Sequence, residues 1–261
     1  MIQKETPKPE TKINKIIAIM SGKGGVGKSS VTSLVALSLK NEGYKVGIMD
    51  ADITGPSIPK IFGVNKERAT SKDDAIIPVK TERGIKIISL NLLISDEDSP
   101  VIWRGPLIAG AVKQFYTDVN WGELDYLLID LPPGTGDVAL TIMQSLPLDG
   151  IIAVTSPQDL ANLIVAKSIN MAVMMNVEML GIVENMSYFI CPDCNSKHYI
   201  FGKSHLDDIV KKENLDILYR MPLNKNLVEL SDEGKIELFS EKESDLFNDF
   251  SNKIVNKIKK L

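Results

Sequence analysis

The apolar positions of this chain fall in short unbroken runs, separated by longer stretches where they recur every three or four residues. KIIAIM at 15–20, KVGIMD at 45–50, DYLLID at 125–130, GIIAVT at 150–155, MLGIVEN at 179–185 and DILYRM at 216–221 are such runs. Each is too short for a buried helix and too continuous for a strand with one wet face. Each therefore predicts a strand covered on both sides. Between them, 28–42, 106–119 and 159–176 carry helical periodicity. Gly43 ends the first of these helices, and Pro106 belongs in the first turn of the second. IIPV at 76–79 and IKIISL at 85–90 flank TERG and predict a hairpin. Alternating strands and helices describe βαβ units. The expected fold is α/β, with a mostly parallel sheet of about seven or eight strands and helices on both faces.

The last stretch, 244–261, sets Leu246, Phe250, Ile254 and Ile258 at i+4 spacing, with Phe247, Val255 and Leu261 widening the stripe. Lys253, Lys257, Lys259 and Lys260 lie beside it. A basic amphipathic tail can lie on a membrane. A helix packed on the sheet is expected instead, because the fold needs one after its last strand. Residues 1–14 are polar and read as a flexible tail, which leaves 15–261 as a single domain without repeats or linkers.

Composition narrows the partners. The 261 residues include 30 basic and 34 acidic side chains, a net charge of −4, with no footprint for broad nucleic-acid binding. No apolar run approaches the ~20 residues of a spanning helix. The first residues lack the apolar core of a signal peptide. A cytoplasmic protein with neither nucleic-acid nor membrane partners is expected. Its two cysteines, Cys191 and Cys194, predict no disulfide framework in that compartment.

The candidate chemistry begins at 22–29, GKGGVGKS, which fits G-x-x-x-x-G-K-[ST] between a predicted strand and a predicted helix. Gly22, Gly24, Gly25 and Gly27, with Lys23 and Val26 between them, let the backbone curl so that successive N–H groups meet phosphate oxygens. The helix start, at Lys28, Ser29 and Ser30, adds partial positive charge. Lys28 is expected to reach the β- and γ-phosphates, and the Ser29 hydroxyl to bind Mg²⁺. LLID at 127–130 is an apolar strand ending in Asp130, which would hold Mg²⁺ through water. In LPPGTGD, which follows, Gly134 and Gly136 are placed to sense the γ-phosphate. MDADITGPSIP at 49–59 puts Asp50 and Asp52 at the carboxyl end of the second strand, where open α/β sheets bind ligands. Asp52 is the candidate to orient or deprotonate the attacking water. Asp50 holds Mg²⁺ waters or the loop.

KGGVGKS resembles the deviant phosphate loop of the MinD/ParA/nitrogenase iron-protein class of ATPases. More narrowly, DADITGPSIP, WRGP, DYLLIDLPPGTGD and ENMSYFICPDC resemble the Mrp/ApbC iron–sulfur cluster carriers, with matches from about residue 15 to residue 235. The resemblance implies ATP as ligand, and it gives the second lysine a role. In that class the extra lysine crosses a dimer interface to the other subunit's nucleotide. Lys23 would then stabilise charge on the transferred phosphoryl group. A homodimer is thereby implied, at least with ATP bound. Asn185 ends a strand, and its amide can pair with the adenine edge. Arg104, in WRGP, either touches the dimer partner or makes a salt bridge.

CPDC at 191–194 leaves three readings open. One chain could hold zinc with His198 and His205, in a spacing unlike the common zinc fingers. The pair could be a redox dithiol, although it does not open a thioredoxin-like helix. Or two chains could supply four thiolates to one [4Fe–4S] cluster, since such clusters take Cys₄ ligation and one chain has only two cysteines. The implied dimer favours the third reading, with zinc replacing the cluster in aerobic preparations and both histidines as loop residues. The function so implied is a homodimeric ATPase that carries a cluster to apo iron–sulfur proteins. The competing readings are a MinD/ParA-like spatial organiser and a reductase resembling the nitrogenase iron protein.

Overall fold

The computed structural model describes residues 4–53, 55–94, 105–158 and 160–261. Its strands are β1 (Lys12–Ser21), β2 (Val46–Asp50), β3 (Thr70–Lys72), β4 (Ala75–Ile77), β5 (Val79–Lys80), β6 (Lys86–Ile88), β7 (Glu123–Asp130), β8 (Gly150–Thr155), β9 (Glu178–Ile190), β10 (Lys197–His198) and β11 (Ile217–Pro222). Its helices are α1 (Lys28–Asn41), α2 (Ile58–Ile61), α3 (Gly105–Thr117), α4 (Asp137–Ser145), α5 (Leu160–Met174), α6 (Leu206–Lys212), α7 (Lys225–Asp232), α8 (Phe239–Lys242) and α9 (Ser244–Ile258).

Among the described residues, nine strands form one sheet, in the order β10-β9-β8-β1-β7-β2-β6-β5, with β11 also paired to β9. Every pairing is parallel except β5 with β6 and β9 with β10. β1 lies centrally, with Ile17 opposite Leu128 of β7 on one side and Gly150 of β8 on the other. The chain leaves β1 through α1 toward β2 and later returns to β8 on the opposite flank. The end of β1 is therefore a topological switch point, where parallel sheets open a crevice.

Successive residues of a strand feed different faces, and here both faces are dry. Ile17, Ile19, Ile48, Leu128, Ile152 and Val154 pack under α1, α7 and α9. Ile16, Ala18, Met20, Met49, Leu127, Ile129 and Ile151 pack under α3, α4, α5 and α6. This division accounts for unbroken apolar runs without alternation. The apolar stripe of α9 is spent in the same way. Phe247, Phe250, Ile254, Val255 and Ile258 are buried against the body of the protein, so the stripe is not presented to a membrane. No helix among the described residues is long and apolar enough to cross a membrane.

Two local expectations change. The hairpin around TERG forms only from Val79–Lys80 and Lys86–Ile88, while Ala75–Ile77 pairs with Thr70–Lys72. Pro78 sits between the two pairings and has no N–H to carry one ladder through. At the other end, β1 begins at Lys12, within the stretch read as a tail. The Glu5 N–H donates to the Ser145 carbonyl at 2.8 Å, and the Lys4 amine donates to the Met143 and Leu146 carbonyls at 2.9 Å each. The contacts to Met143 and Ser145 serve carbonyls of the last turn of α4, which lack partners within the helix. The helix expected over 159–176 starts at Leu160. Asp159, Trp103 and Arg104 lie outside the described residues.

Candidate functional site

The loop from Gly22 to Gly27 joins β1 to α1. Gly25 and Gly27 have φ of 79° and 80°, the left-handed region open to glycine. Gly27 is also the residue before α1, whose start has no side-chain cap, so its first-turn N–H groups stay available. Gly24, Gly25, Gly27, Lys28, Ser29 and Ser30 line one side of a cavity of about 390 Å³, and Asp52, Ser57, Lys60 and Pro133 line another. Free N–H groups at a helix start are a ready anion site. The Gly134 N–H donates to the Ser21 carbonyl at 2.8 Å and ties the loop after β7 to the end of β1. Gly136 precedes α4.

Behind the loop, the polar side chains converge on Asp130. Its carboxylate is fully buried and meets the Lys28 amine at 2.7 Å. One oxygen accepts the Ser29 hydroxyl at 2.6 Å and the other accepts the Thr32 hydroxyl at 2.6 Å. Lys28 also lies 3.8 Å from Asp52. Asp50 sits beside Asp130 in the β2–β7 ladder and is fully buried. It accepts from the Asp52 N–H at 3.2 Å, the Ile58 N–H at 3.3 Å and the Ser89 hydroxyl at 3.3 Å. Burial, and then the charge of Asp130, push the Asp50 carboxyl well above the usual carboxylate range, with Lys28 pulling the other way. The donors are hydroxyl and carboxylate oxygens, a set that suits a hard cation such as Mg²⁺.

Asn185 is buried on β9, and its amide donates to the Val26 carbonyl at 2.9 Å. Any side chain at position 27 would collide with that amide, a second reason for glycine there. Asn185 also lines a smaller cavity of about 220 Å³, walled by Pro222, Leu223, Leu227 and Val228. Apolar walls with a few polar groups, Asn185 and Asn224 among them, suit a flat heterocycle. Lys23 is not among the residues lining the 390 Å³ cavity. It points to Gln158, just beyond β8, and donates to the side-chain carbonyl there.

The cysteines lie at the far end of β9. β9 and β10 form a hairpin, with Ile190 opposite Lys197 and Phe189 opposite His198. Its tip is cross-tied by the Cys191 N–H to the Ser196 carbonyl at 3.0 Å and by the Asn195 N–H to the Cys191 carbonyl at 2.9 Å. Asn195, with φ of 57°, makes the turn. The donor atoms of Cys191, Cys194 and His198 all lie within 4.8 Å of one another. His198 stands in β10 and not in a loop, and its ring lies close to both sulfurs. His205 precedes α6 and stays out of the group. The Ser196 hydroxyl bridges Cys194 Sγ at 2.8 Å and His198 Nε2 at 3.1 Å. Hydrogen bonds from the Ser196 hydroxyl and backbone, and then from Cys191, draw the Cys194 thiol below its ordinary pKa.

Sequence reasoning missed Thr32, Ser196 and the 222–228 wall, and it named His198 only within the zinc reading. Only Thr32 left a signal, four residues past Lys28 on the same helix face.

Comparison with known proteins gives one consistent answer. The family model described as NUBPL iron-transfer P-loop NTPase, of the ParA group, matches residues 12–259. The iron–sulfur cluster carrier protein of Methanocaldococcus jannaschii is 49% identical over 250 residues, 95% of this chain and 86% of that protein. The carrier of Clostridium perfringens is 47% identical over 232 residues, 86% of this chain and 81% of that protein. Among solved structures, a nucleotide-binding protein from Archaeoglobus fulgidus, in complex with ADP and with Co found in it, aligns with a TM-score of 0.78 at 45% identity. That alignment covers 87% of this chain and 89% of the other. The cell division ATPase MinD of Pyrococcus furiosus, at 20% identity and a TM-score of 0.68, covers 95% of this chain and 99% of its own, and shares the fold.

Proposed function

The chain belongs to the NUBPL-type iron-transfer P-loop NTPases, and from that premise we propose that it is a cytoplasmic, homodimeric ATPase whose cargo is a [4Fe–4S] cluster. The observation that carries this reading is an inequality within one chain. The nucleotide cavity is lined by Lys28, Lys60, several serines and Asp52, with Asp130 behind Lys28, whereas the hairpin offers two thiols where a cubane takes four. A second copy supplies the missing pair.

In this reading ATP lies along the 390 Å³ cavity. The backbone of Gly24–Gly27 and the start of α1 hold its phosphates, and its base enters the cavity walled by Leu223 and Leu227 against Asn185. Lys28 leaves Asp130 for the β- and γ-oxygens. Ser29 and Asp130 would hold Mg²⁺, which supplies charge neutralisation on the phosphates when bound. Asp52, 3.8 Å from Lys28, orients the attacking water and takes its proton. Lys23 faces away from its own cavity and serves the partner's nucleotide, steadying charge on the transferred group. The carrier names of relatives more than 40% identical and the ADP in the Archaeoglobus fulgidus protein support nucleotide binding and cluster carriage together. Apo iron–sulfur proteins are the recipients. The spatial-organiser reading finds no support in α9, whose apolar stripe is buried.

Anaerobic reconstitution tests the proposal. The wild type is expected to take up about four irons per dimer, show cluster absorption, and pass the cluster to an apo-acceptor. Cys191→Ala and Cys194→Ala are expected to lose the iron and keep ATP. A variant that still holds the full complement of iron overturns the bridging site.

A further inference from the structure

The hairpin offers three metal donors within one protomer, and a bridging cluster uses only two of them. Cys191, Cys194 and His198 are set by local geometry that needs no second chain. The two backbone bonds across the tip fix Cys191 relative to Ser196. β10 then turns alternate side chains to opposite faces. Ser196 and His198 share the face of the thiols, while Lys197 lies over the Tyr188 ring at 4.4 Å.

We propose that each chain alone binds one divalent transition-metal ion through Cys191, Cys194 and His198, in a state distinct from the dimeric cluster-bearing one. Two thiolates and an imidazole are a soft, nitrogen-bearing set that selects zinc, cobalt or ferrous iron over magnesium or calcium. Thiolates at about 2.3 Å and an imidazole at about 2.0 Å from a tetrahedral ion stand roughly 3.5–3.8 Å apart. The observed spread, within 4.8 Å, closes to that by rotation of exposed side chains. The Ser196 hydroxyl now sits between Cys194 and His198. It would yield that place and stay as a hydrogen-bond donor to a thiolate. Binding releases the thiol protons, so affinity rises with pH. Three protein ligands leave a fourth position open, as in metal sites that exchange ligands rather than merely staple a fold. The inference goes beyond the carrier reading and shares with it only the two cysteines.

The test is an anaerobic cobalt(II) titration of reduced, nucleotide-free protein, read by thiolate-to-cobalt charge transfer and visible d–d bands, with mass measured in solution. One tetrahedral cobalt per chain, in a protein that runs as a monomer, is expected. His198→Ala should weaken cobalt at least ten- to a hundredfold, the range seen for losing even an outer-shell partner, and should shift the d–d bands. His198→Cys should restore tetrahedral binding with stronger charge transfer. Unchanged affinity and spectrum in His198→Ala, or saturation at one cobalt per two chains, overturns the proposal. Iron reconstitution in parallel keeps the two readings apart. His198→Ala should take up iron as the wild type does. A wild type that takes cobalt at one per chain but assembles no cluster removes the carrier reading and leaves this one standing.

Discussion

The phosphate loop and the thiol hairpin are built in opposite ways. At the loop, Lys28 and Asp130 are buried and paired with each other, with Ser29 and Thr32 bonded to the same carboxylate. At the hairpin, Cys194 and His198 are exposed, and the three donor atoms lie within 4.8 Å of one another on side chains free to turn. Burial makes the first site precise and intolerant of change, because an ion stripped of its partner in a dry interior cannot turn to water. Exposure makes the second forgiving and exchangeable, which suits the cargo release proposed above. The difference teaches where mutations should harm the fold and where they should harm only the load.

Lys28→Ala should break this contrast most severely. It removes the cation facing buried Asp130, so the nucleotide-free protein should lose about 3–5 kcal/mol of stability and ATP binding should vanish. Thermal unfolding and ATP titration read the two effects. Intact ATP affinity would refute the role given to Lys28. Lys23→Ala comes next. Among the described residues its amine is paired with the exposed Gln158 side chain, so stability and ATP binding should hold. Hydrolysis should drop roughly 10³-fold, the scale of a lost finger residue. Mixing Lys23→Ala with Asp52→Ala chains should restore activity in part, because one site of the mixed dimer then has both groups. No recovery would count against a role across the interface.

Asp50 sharpens the comparison through pH. Its carboxyl is raised in the folded state, chiefly by burial and then by Asp130. Its contribution to stability is therefore full below the unfolded pKa, near 4, and is lost as pH rises through the folded value. Each unit of upward shift corresponds to about 1.4 kcal/mol. Asp50→Asn should flatten that fall, so the stability difference moves in the variant's favour from pH 4 to 8. A difference constant with pH would mean that only the hydrogen bonds to Asp50 matter. Cys194→Ala should do least, changing folding stability by under about 0.5 kcal/mol, as exposed substitutions do. A larger loss would show that the hairpin holds the fold together.

The strands and the phosphate loop were legible because their signals are local. A doubly covered strand must be apolar throughout, and a phosphate loop must space its glycines and lysine in one way. Ile77 and Val79 looked like one strand because apolarity says nothing of a missing N–H, and Pro78 divides them. His198 was set aside because C-x2-C-x3-H is not a common zinc spacing. Only the turn at Asn195 and the pairing of Phe189 with His198 bring the ring back to the sulfurs. The wall from Pro222 to Val228 arrives from far along the chain, and no spacing rule connects it to Asn185. The spacing marks Asp130 as a magnesium ligand, and no pattern along the chain shows that Lys28 rests on it.

β9 has a mechanical meaning. It runs from Glu178 to Ile190, with Asn185 against the phosphate loop and Cys191 just beyond its last residue. Six residues of strand span at most about 20 Å, so the proposed nucleotide and metal sites share one strand. Between those two sites the joint is Met186, held at φ of 55°, a left-handed posture that costs a side-chain-bearing residue about 1–2 kcal/mol. Movement of Asn185 as a base enters must travel past that joint as axial thrust or be absorbed there as rotation.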